Sequence, residues 1–561
     1  MDYNILIAGS AGDGLITLSK LLTKILQREG YYLLSNKNYM SRVRGGHNFI
    51  QIRFGDAPIS APKSKFDLIL AFDRESLELH KKDLKTDGKI FADDSLNDMT
   101  TYSNEIIFLP LKSEGRSLKF KHILSAAFAG CVFKAFDLPH ESVYNIFDEF
   151  FSDSIKADLN RKSFFLGYGI APTLFDSINS PNQSTIMING NESIALGALA
   201  GGVSFYSAYP MTPSTSIMTY LSKKQSEANI VVDQAEDEIA AIESALGASY
   251  AGIRAMTGSS GGGLALMSES ISFSGVAEIP IVIANVQRPG PATGLPTRTA
   301  QGDLSFVLNI GHGEFPKIII APTSVESCFY DTQRALNLAE LFQLPVIILS
   351  DQFLADSTMT VDDFDFSRIP IERYFASNDL LRQVYKRYEI TEDGVSPRII
   401  PGLFDSLVEI ADSHEHDEYG HPTEDIDMVI AQMKKRFKKL EWVREKLIEP
   451  TYIGCKNPET LLIGFGSVLS PISEAVDYLQ SKYSIGALIF SDIMPLPTKK
   501  LLKYSAISKN IVDIEHNFTG QFAKYMRAET GLDVTHKLLR YDGRQLTFEE
   551  IIEFIEKEVL I

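Results

Sequence analysis

The residues best suited to chemistry lie between positions 209 and 304 of this sequence. The string EDEIAAIESALG sets three acids, Glu236, Asp237 and Glu238, ahead of an apolar-periodic run. Glu238, followed by Ile-Ala-Ala-Ile, is the carboxylate most flanked by apolar residues, and its two neighbours fall on other faces of a helix. A carboxyl held in an apolar pocket has its pKa raised and stays neutral near pH 7, where it can donate a hydrogen bond. The same acids also suit an exposed helix N-terminus, which favours negative charge. Arg298, in LPTRTAQGDL, offers a planar fork that grips a carboxylate bidentately. Arg288, in the same stretch, serves a structural ion pair equally well. Thr212, in YPMTPST (Tyr209–Thr215), offers a small hydroxyl between two prolines that fix the backbone and remove two amide donors.

These groups must be positioned by strands and helices. Apolar runs at Ile230–Val232, Ile279–Asn285, Lys317–Ala321 and Leu344–Leu349 alternate with helical patterns over 184–362, which predicts a doubly wound, mostly parallel sheet. The YPMTPST turn follows Gly201–Phe205 and precedes a helical run from Ser216 to Lys223, so Thr212 sits at a strand end, where open α/β sheets bind ligands. By itself it is an ordinary strand-to-helix turn with Ser or Thr as cap. Its neighbours change that reading. Upstream, GNESIALGALAGG (Gly190–Gly202) is a small-residue helix that admits close approach of backbone or ligand. Downstream come DQAEDEIAAIESALGASYAG, TGSSGGG (Thr257–Gly263) and NVQRPGPATGLPTRTAQGDL (Asn285–Leu304).

In this order the four strings resemble the pyrimidine-binding domain of the 2-oxoacid:ferredoxin (acceptor) oxidoreductases, whose alpha subunits carry a YPITPS-like signature where this chain has Met211. The region 1–181 resembles the gamma domain of the same enzymes, through GSAGDG (Gly9–Gly14) and SRVRGGHNFIQIR (Ser41–Arg53). The region 451–561, with LLIGFGS, GALIFSDIMPLP and NIVDIEHN, resembles their transketolase C-terminal domain. Residues 363–450 are read as a connecting segment. The resemblance thus implies an α/β chain: a gamma-type domain, a thiamine-diphosphate-binding-like doubly wound domain and a transketolase C-terminal-like domain. Within the family, the fused gamma–alpha layout looks most like the 2-oxoglutarate enzymes.

The resemblance implies oxidative decarboxylation of a 2-oxoacid, 2-oxoglutarate as the best fit, to acyl-CoA and CO₂ with ferredoxin reduction, or the reverse. Cleaving the bond between carboxylate and keto carbon requires an electron sink, which thiamine diphosphate provides. By family alignment Glu238 falls where the activating glutamate is found, and Thr212 and Arg298 match substrate-binding positions. Tyr209, Pro210, Thr257, Ser259 and Gly261 are the expected cofactor contacts. TGSSGGG gives close backbone approach to the cofactor ring or, alternatively, is a helix-start turn. Arg42, Arg44, Gly45 and Gly46 would meet the anionic tail of coenzyme A, unless they form an interdomain salt-bridge loop. Thiamine diphosphate with Mg²⁺ and a [4Fe–4S] cluster are expected mainly on a separate beta subunit, with ferredoxin as acceptor and a heterodimer or dimer of heterodimers as assembly. A transketolase- or dehydrogenase-type component with another acyl acceptor, and a non-catalytic nucleotide-binding subunit, are the rival readings.

The rest of the sequence bounds these expectations. A length of 561 residues suggests roughly four domains. A net charge of −18 argues against nucleic acid and anionic membrane as partners. Cys131, Cys328 and Cys455 are far apart and do not supply the four ligands of a cluster, and lone thiols fit a reducing compartment. No apolar run approaches the roughly 20 residues of a membrane span, so a cytoplasmic location is expected. GSAGDG follows a strand and opens a helix, the context for a phosphate cradle. Its G-x-x-G-x-G spacing is not the dinucleotide fingerprint, however, and Asp13 would repel phosphate. Gly12-Asp13-Gly14 followed by Asn36 and Asn38 imitates a Mg²⁺–thiamine diphosphate motif, but the gamma-like surroundings place no metal there. The acidic and His-rich string His414–Asp425 is read as a solvated loop.

Overall fold

A computed structural model describes the chain except residues 40–45, 98–104, 378–384, 405–406 and 561. The residues form two compact units. One comprises Met1–Ile188, Asp356–Asp363 and Thr547–Glu549. The other comprises Asn189–Ala355, Phe364–Leu546 and Glu550–Ile561.

The first unit is built on an eight-stranded sheet. In spatial order its strands are Ile106–Leu109, Leu84–Asp93, Phe66–Ala71, Asp2–Ser10, His47–Gly55, Tyr32–Asn38, Thr358–Val361 and Ile186–Ile188. The first four run parallel and the remainder pair antiparallel. The last two strands come from the sequence region assigned above to the second domain. They are drawn in because the Tyr32–Asn38 strand would otherwise expose a row of unpaired backbone groups; Thr360 adds a side-chain bond, its hydroxyl accepting from Leu33 N at 2.9 Å. Helix Leu15–Arg28 buries Leu18, Leu22, Ile25 and Leu26, spaced for one face, in a core with Phe54, Phe128 and Phe136.

The second unit holds two sheets. The larger runs Asp492–Met494, Ile318–Ile320, Pro345–Asp351, Ile281–Gln287, Ala255–Ser259, Phe205–Ala208 and Val231–Gln234, parallel throughout except at Asp492–Met494. The smaller runs Thr451–Gly454, Ile485–Phe490, Thr460–Phe465, Asn510–Glu515 and His536–Leu539. The string GALIFSDIMPLP is therefore divided: Ile485–Phe490 stays in the smaller sheet and Asp492–Met494 crosses to the edge of the larger. A single apolar cluster, including Ile242, Ile283, Ile347, Leu462's neighbours Leu461 and Ile463, and Phe522, joins the sheets. The small residues of helix Gly190–Ala200 admit backbone, not ligand: a Cβ on Gly197 would stand 2.4 Å from the Phe329 carbonyl oxygen.

The connecting segment packs as part of this unit. Helix Ile426–Lys446 is strongly charged, and even the face it buries carries Gln432, Lys435, Arg436 and Lys439. Lys435 and Lys439 both reach the fully buried Glu278, Lys435 at 2.6 Å. A buried charge persists only when paired, and this acceptor lies too far away in sequence for helical periodicity to reveal it. The His-rich string is likewise less solvated than predicted. His416 is buried against the Tyr388 ring, with centroids 3.8 Å apart, while His414 and His421 stay exposed. Among the described residues no helix is long and apolar enough to cross a membrane.

Candidate active site

Parallel strands deliver their carboxyl ends to one edge of the larger sheet, and the candidate residues collect there. Strand Phe205–Ala208 leads into the YPMTPST turn, strand Val231–Gln234 into the Glu238 helix, strand Ala255–Ser259 into the glycine run, and strand Ile281–Gln287 into Arg288. Of the three acids only Glu238 is buried, at 3% exposure. Asp237 caps the helix Glu238–Tyr250, accepting from Ala240 N at 2.8 Å, and Glu236 faces solvent.

The glycine run fits around two carboxylates. A Cβ on Gly263 would stand 2.1 Å from Ser259 Oγ and 2.5 Å from Glu238 Oε1. A Cβ on Gly261 would stand 2.5 and 2.6 Å from the two carboxyl oxygens of Asp303. Gly262, between them, has open space. The missing side chains thus form two notches, one for Glu238 and one for Asp303. That gives Gly261 a reason to be glycine other than the cofactor approach expected from sequence.

Ser259 Oγ lies 3.7 Å from Met211 Sδ, which ties the glycine strand to the YPMTPST turn. Arg288 Nη1 donates to the Thr212 carbonyl oxygen at 2.6 Å. Burial pushes the Arg288 pKa down and the nearby Asp303 pulls it up. The Asp303 carboxyl is itself pushed up by burial, against the pull of a hydrogen bond from Asn285 Nδ2 at 3.2 Å and of the Arg288 charge. A pocket of about 230 Å³ is lined by Gly261, Gly262, Arg288, Asp303 and Phe306, among others. Arg288 is therefore the arginine on the Thr212 turn. Arg298 is half-buried elsewhere on the loop, packed on Gly543, and burial and the Arg544 charge both lower its pKa.

Several buried polar atoms here have no hydrogen-bond partner among the described residues: Glu238 Oε1, Thr257 Oγ1, Ser260 Oγ, Asn285 Oδ1 and the Tyr206 hydroxyl. Each such atom costs roughly 1–3 kcal/mol if left unpaired. A set of one carboxyl oxygen and several hydroxyls fits a heteroaromatic ring with both donors and acceptors, as an aminopyrimidine has. Tyr209 is 40% exposed and Pro210 half-buried at the rim.

Sequence reasoning passed over Gly263, Asp303, Asn285 and Gln301. Asn285 and Gln287 do leave a signal, as polar residues ending a strand whose seven residues are all buried. Gln301 leaves none. Its side chain donates to Phe465 O at 2.7 Å and accepts from His516 N at 3.1 Å, and its own N donates to His516 O. The loop carrying Arg298 and Asp303 is thereby held by the smaller sheet.

In the first unit a separate pocket of about 600 Å³ lies under GSAGDG, with Lys37, Tyr39 and Asn48 in its walls. Gly12 and Gly14 have φ of +105° and +92°, backbone that side chains rarely adopt. Asp13 turns back on its own loop, accepting from Ser10 N at 3.1 Å. Of the expected coenzyme A contacts, Arg42, Arg44 and Gly45 lie outside the described residues. Gly46 is described, with φ +80°. Among the described residues no group of three or more His, Cys, Asp or Glu is arranged to hold a metal.

Three family profiles match the chain. Residues 4–170 match "Pyruvate ferredoxin/flavodoxin oxidoreductase", 196–435 match "Pyruvate flavodoxin/ferredoxin oxidoreductase, thiamine diP-bdg", and 458–551 match "Pyruvate:ferredoxin oxidoreductase core domain II". The chain is 31% identical over 623 aligned positions to a 2-oxoacid:ferredoxin oxidoreductase subunit alpha of Sulfolobus sp, covering all of this chain and 97% of the relative. It is 29% identical to the 2-oxoglutarate synthase subunit KorA of Methanothermobacter thermautotrophicus, over 66% of this chain and 98% of that one. Among solved structures, 2-oxoglutarate:ferredoxin oxidoreductase from Magnetococcus marinus, with 2-oxoglutarate, coenzyme A and succinyl-CoA bound, superimposes with a TM-score of 0.94 at 29% identity, covering 99% of both chains.

Proposed function

Because the chain belongs to the 2-oxoacid:ferredoxin oxidoreductases as an alpha subunit, we propose that its Glu238, Thr212 and Arg288 form one wall of a thiamine-dependent site for 2-oxoglutarate. The observation carrying this reading is the convergence of all three on the carboxyl edge of one parallel sheet, around a glycine run that seats Glu238. Thiamine diphosphate, when bound, supplies the electron sink for cleavage between carboxylate and keto carbon. Glu238, with its uncommitted carboxyl oxygen, and Thr257 and Ser260, with their unpartnered hydroxyls, would hold that group's ring, and Ser259 holds the strand against Met211. Tyr209 and Pro210 close the outer rim.

Arg288, already bonded to the Thr212 carbonyl, presents its remaining guanidinium donors to the substrate carboxylate, and the Thr212 hydroxyl orients the keto group. Arg298, the sequence's choice for that task, is assigned instead to the loop's contact with Gly543. The residues of the turn and glycine run exclude water from one side only, so a partner subunit closes the other. That beta subunit carries the Mg²⁺ and the [4Fe–4S] cluster, since the three separated cysteines of this chain do not ligate one. Ferredoxin takes the electrons there, and the assembly is a heterodimer or a dimer of heterodimers in the cytoplasm. Coenzyme A is assigned to the pocket of the first unit that Lys37 lines.

The test is turnover of the enzyme assembled with its beta subunit, using ferredoxin, coenzyme A and a panel of 2-oxoacids. Highest kcat/KM with 2-oxoglutarate is expected. Arg288→Gln should lower kcat/KM by about 10- to 100-fold, the loss of a charge-assisted contact of roughly 1.5–3 kcal/mol. Unchanged kcat/KM in that variant, or no turnover of any 2-oxoacid by the native assembly, would overturn the reading.

A further inference from the structure

We propose that Asp303 is a positioning residue of the substrate site, and that Gly261 is glycine in order to seat it. The inference rests on the reading of Arg288 as the carboxylate clamp. Three observations carry it. The Asp303 carboxyl occupies the space where a Cβ on Gly261 would be, so the two positions form one fitted unit. Its backbone N donates to Gln287 Oε1 at 3.1 Å, and its carboxyl receives Asn285 Nδ2, so both polar residues ending the central strand bond to it. It lines the same small pocket as Arg288 without a direct hydrogen bond to it.

That arrangement gives Arg288 a fixed counter-charge while leaving its donors free for a ligand. Arg288 is only half-buried, and the structure gives it one hydrogen bond, to Thr212 O. A long side chain with one anchor explores several rotamers; an opposite charge set in a rigid notch holds it on the inner wall. The substrate carboxylate then approaches an arginine already in place, and ordering it costs less on binding. Gln301 and Gln521 fix the Asp303 loop from the smaller sheet, Gln521 accepting from Ser305 N and donating to Gly302 O. The notch is therefore rigid from both sides.

The experiment is a cycle of Gly261→Ala, Asp303→Ala and the double variant in the enzyme assembled with its beta subunit, with thermal midpoint and 2-oxoacid kinetics as readouts. Gly261→Ala alone should lower the thermal midpoint and raise KM about tenfold, because it dislodges the carboxyl. Asp303→Ala should raise KM by about the same factor with kcat changed less than about threefold. The double variant should be no worse than Asp303→Ala in either readout, since alanine at 303 vacates the space the new methyl needs. Asp303→Asn keeps shape and removes charge, and should raise KM as alanine does. Full additivity of the two changes would overturn the proposal, showing that Gly261 serves something else. Unchanged KM in Asp303→Asn and Asp303→Ala would overturn it too, leaving Asp303 a purely structural group. A normal KM in Arg288→Gln alongside a non-additive thermal cycle would instead sink the clamp reading while the Gly261–Asp303 fit stands.

Discussion

Replacing Gly263 by alanine tests the seat of Glu238 without touching the carboxylate. The added methyl would lie 2.1 Å from Ser259 Oγ, 2.5 Å from Glu238 Oε1 and 2.7 Å from Glu238 Cγ. Ordinary contacts begin near 3.4 Å, so hydroxyl and carboxyl must each give way by about an ångström. Overpacking of this kind costs about 1–3 kcal/mol. Alanine returns about 0.5–1 kcal/mol of helix propensity, so the net loss in stability is modest, up to about 2 kcal/mol. The loss in rate is larger, because a misplacement of an ångström costs about 100-fold. Gly262→Ala is the control for stability: nothing lies within 4 Å of its Cβ, so no clash offsets the propensity gain and thermal stability should rise slightly. The assay pairs thermal unfolding with steady-state turnover in the assembled enzyme. Gly263→Ala with kcat within twofold of native would refute the claim that this glycine holds Glu238 in register.

Two further predictions address what holds the second unit together. Glu278→Gln leaves Lys435 and Lys439 buried without their counter-charge and should cost about 3–5 kcal/mol in denaturant unfolding. In the native chain burial pushes the Glu278 carboxyl up, but Lys435 and Lys439 outweigh it and hold its pKa below the ordinary 4.5. The folded state therefore binds this proton less tightly than the unfolded one; the stability is present above about pH 4.5 and is lost on acidification below it. The variant should lose that part of the acid sensitivity, and an unchanged acid limb would count against the pairing. Gln301→Ala strands Phe465 O and His516 N and should cost about 2–4 kcal/mol, with KM for the 2-oxoacid raised because the Asp303 loop loosens. Normal KM at reduced stability would show that the loop does not depend on this anchor.

The parallel sheet, the turn carrying Thr212 and the burial of Glu238 were legible because each leaves a local trace. Apolar runs alternate with helical periods, prolines flank a hydroxyl, and one acid alone has apolar neighbours on its helix. What escaped was set by partners distant in sequence. That Arg288 meets the Thr212 carbonyl depends on how its loop folds back onto the turn. Gly261 and Gly263 look alike in TGSSGGG, yet one faces Asp303 and the other Glu238. Nothing in the periodicity of helix Ile426–Lys446 shows that Lys435 and Lys439 turn inward, because the Glu278 they meet lies far off in sequence. Likewise the strands Ile186–Ile188 and Thr358–Val361 are too short to announce which sheet they complete. Pairing at a sheet edge is decided by the strand already there.

The most direct measurement concerns Glu238 itself. In the enzyme assembled with its beta subunit and loaded with thiamine diphosphate, the rate of hydrogen–deuterium exchange at the reactive ring carbon can be followed by quenched-flow NMR, without substrate or ferredoxin. Glu238→Gln should slow that exchange by about 100-fold or more while the cofactor still binds. Exchange at the native rate in the variant would contradict the assignment of this buried carboxyl to the cofactor, and with it the site built around it.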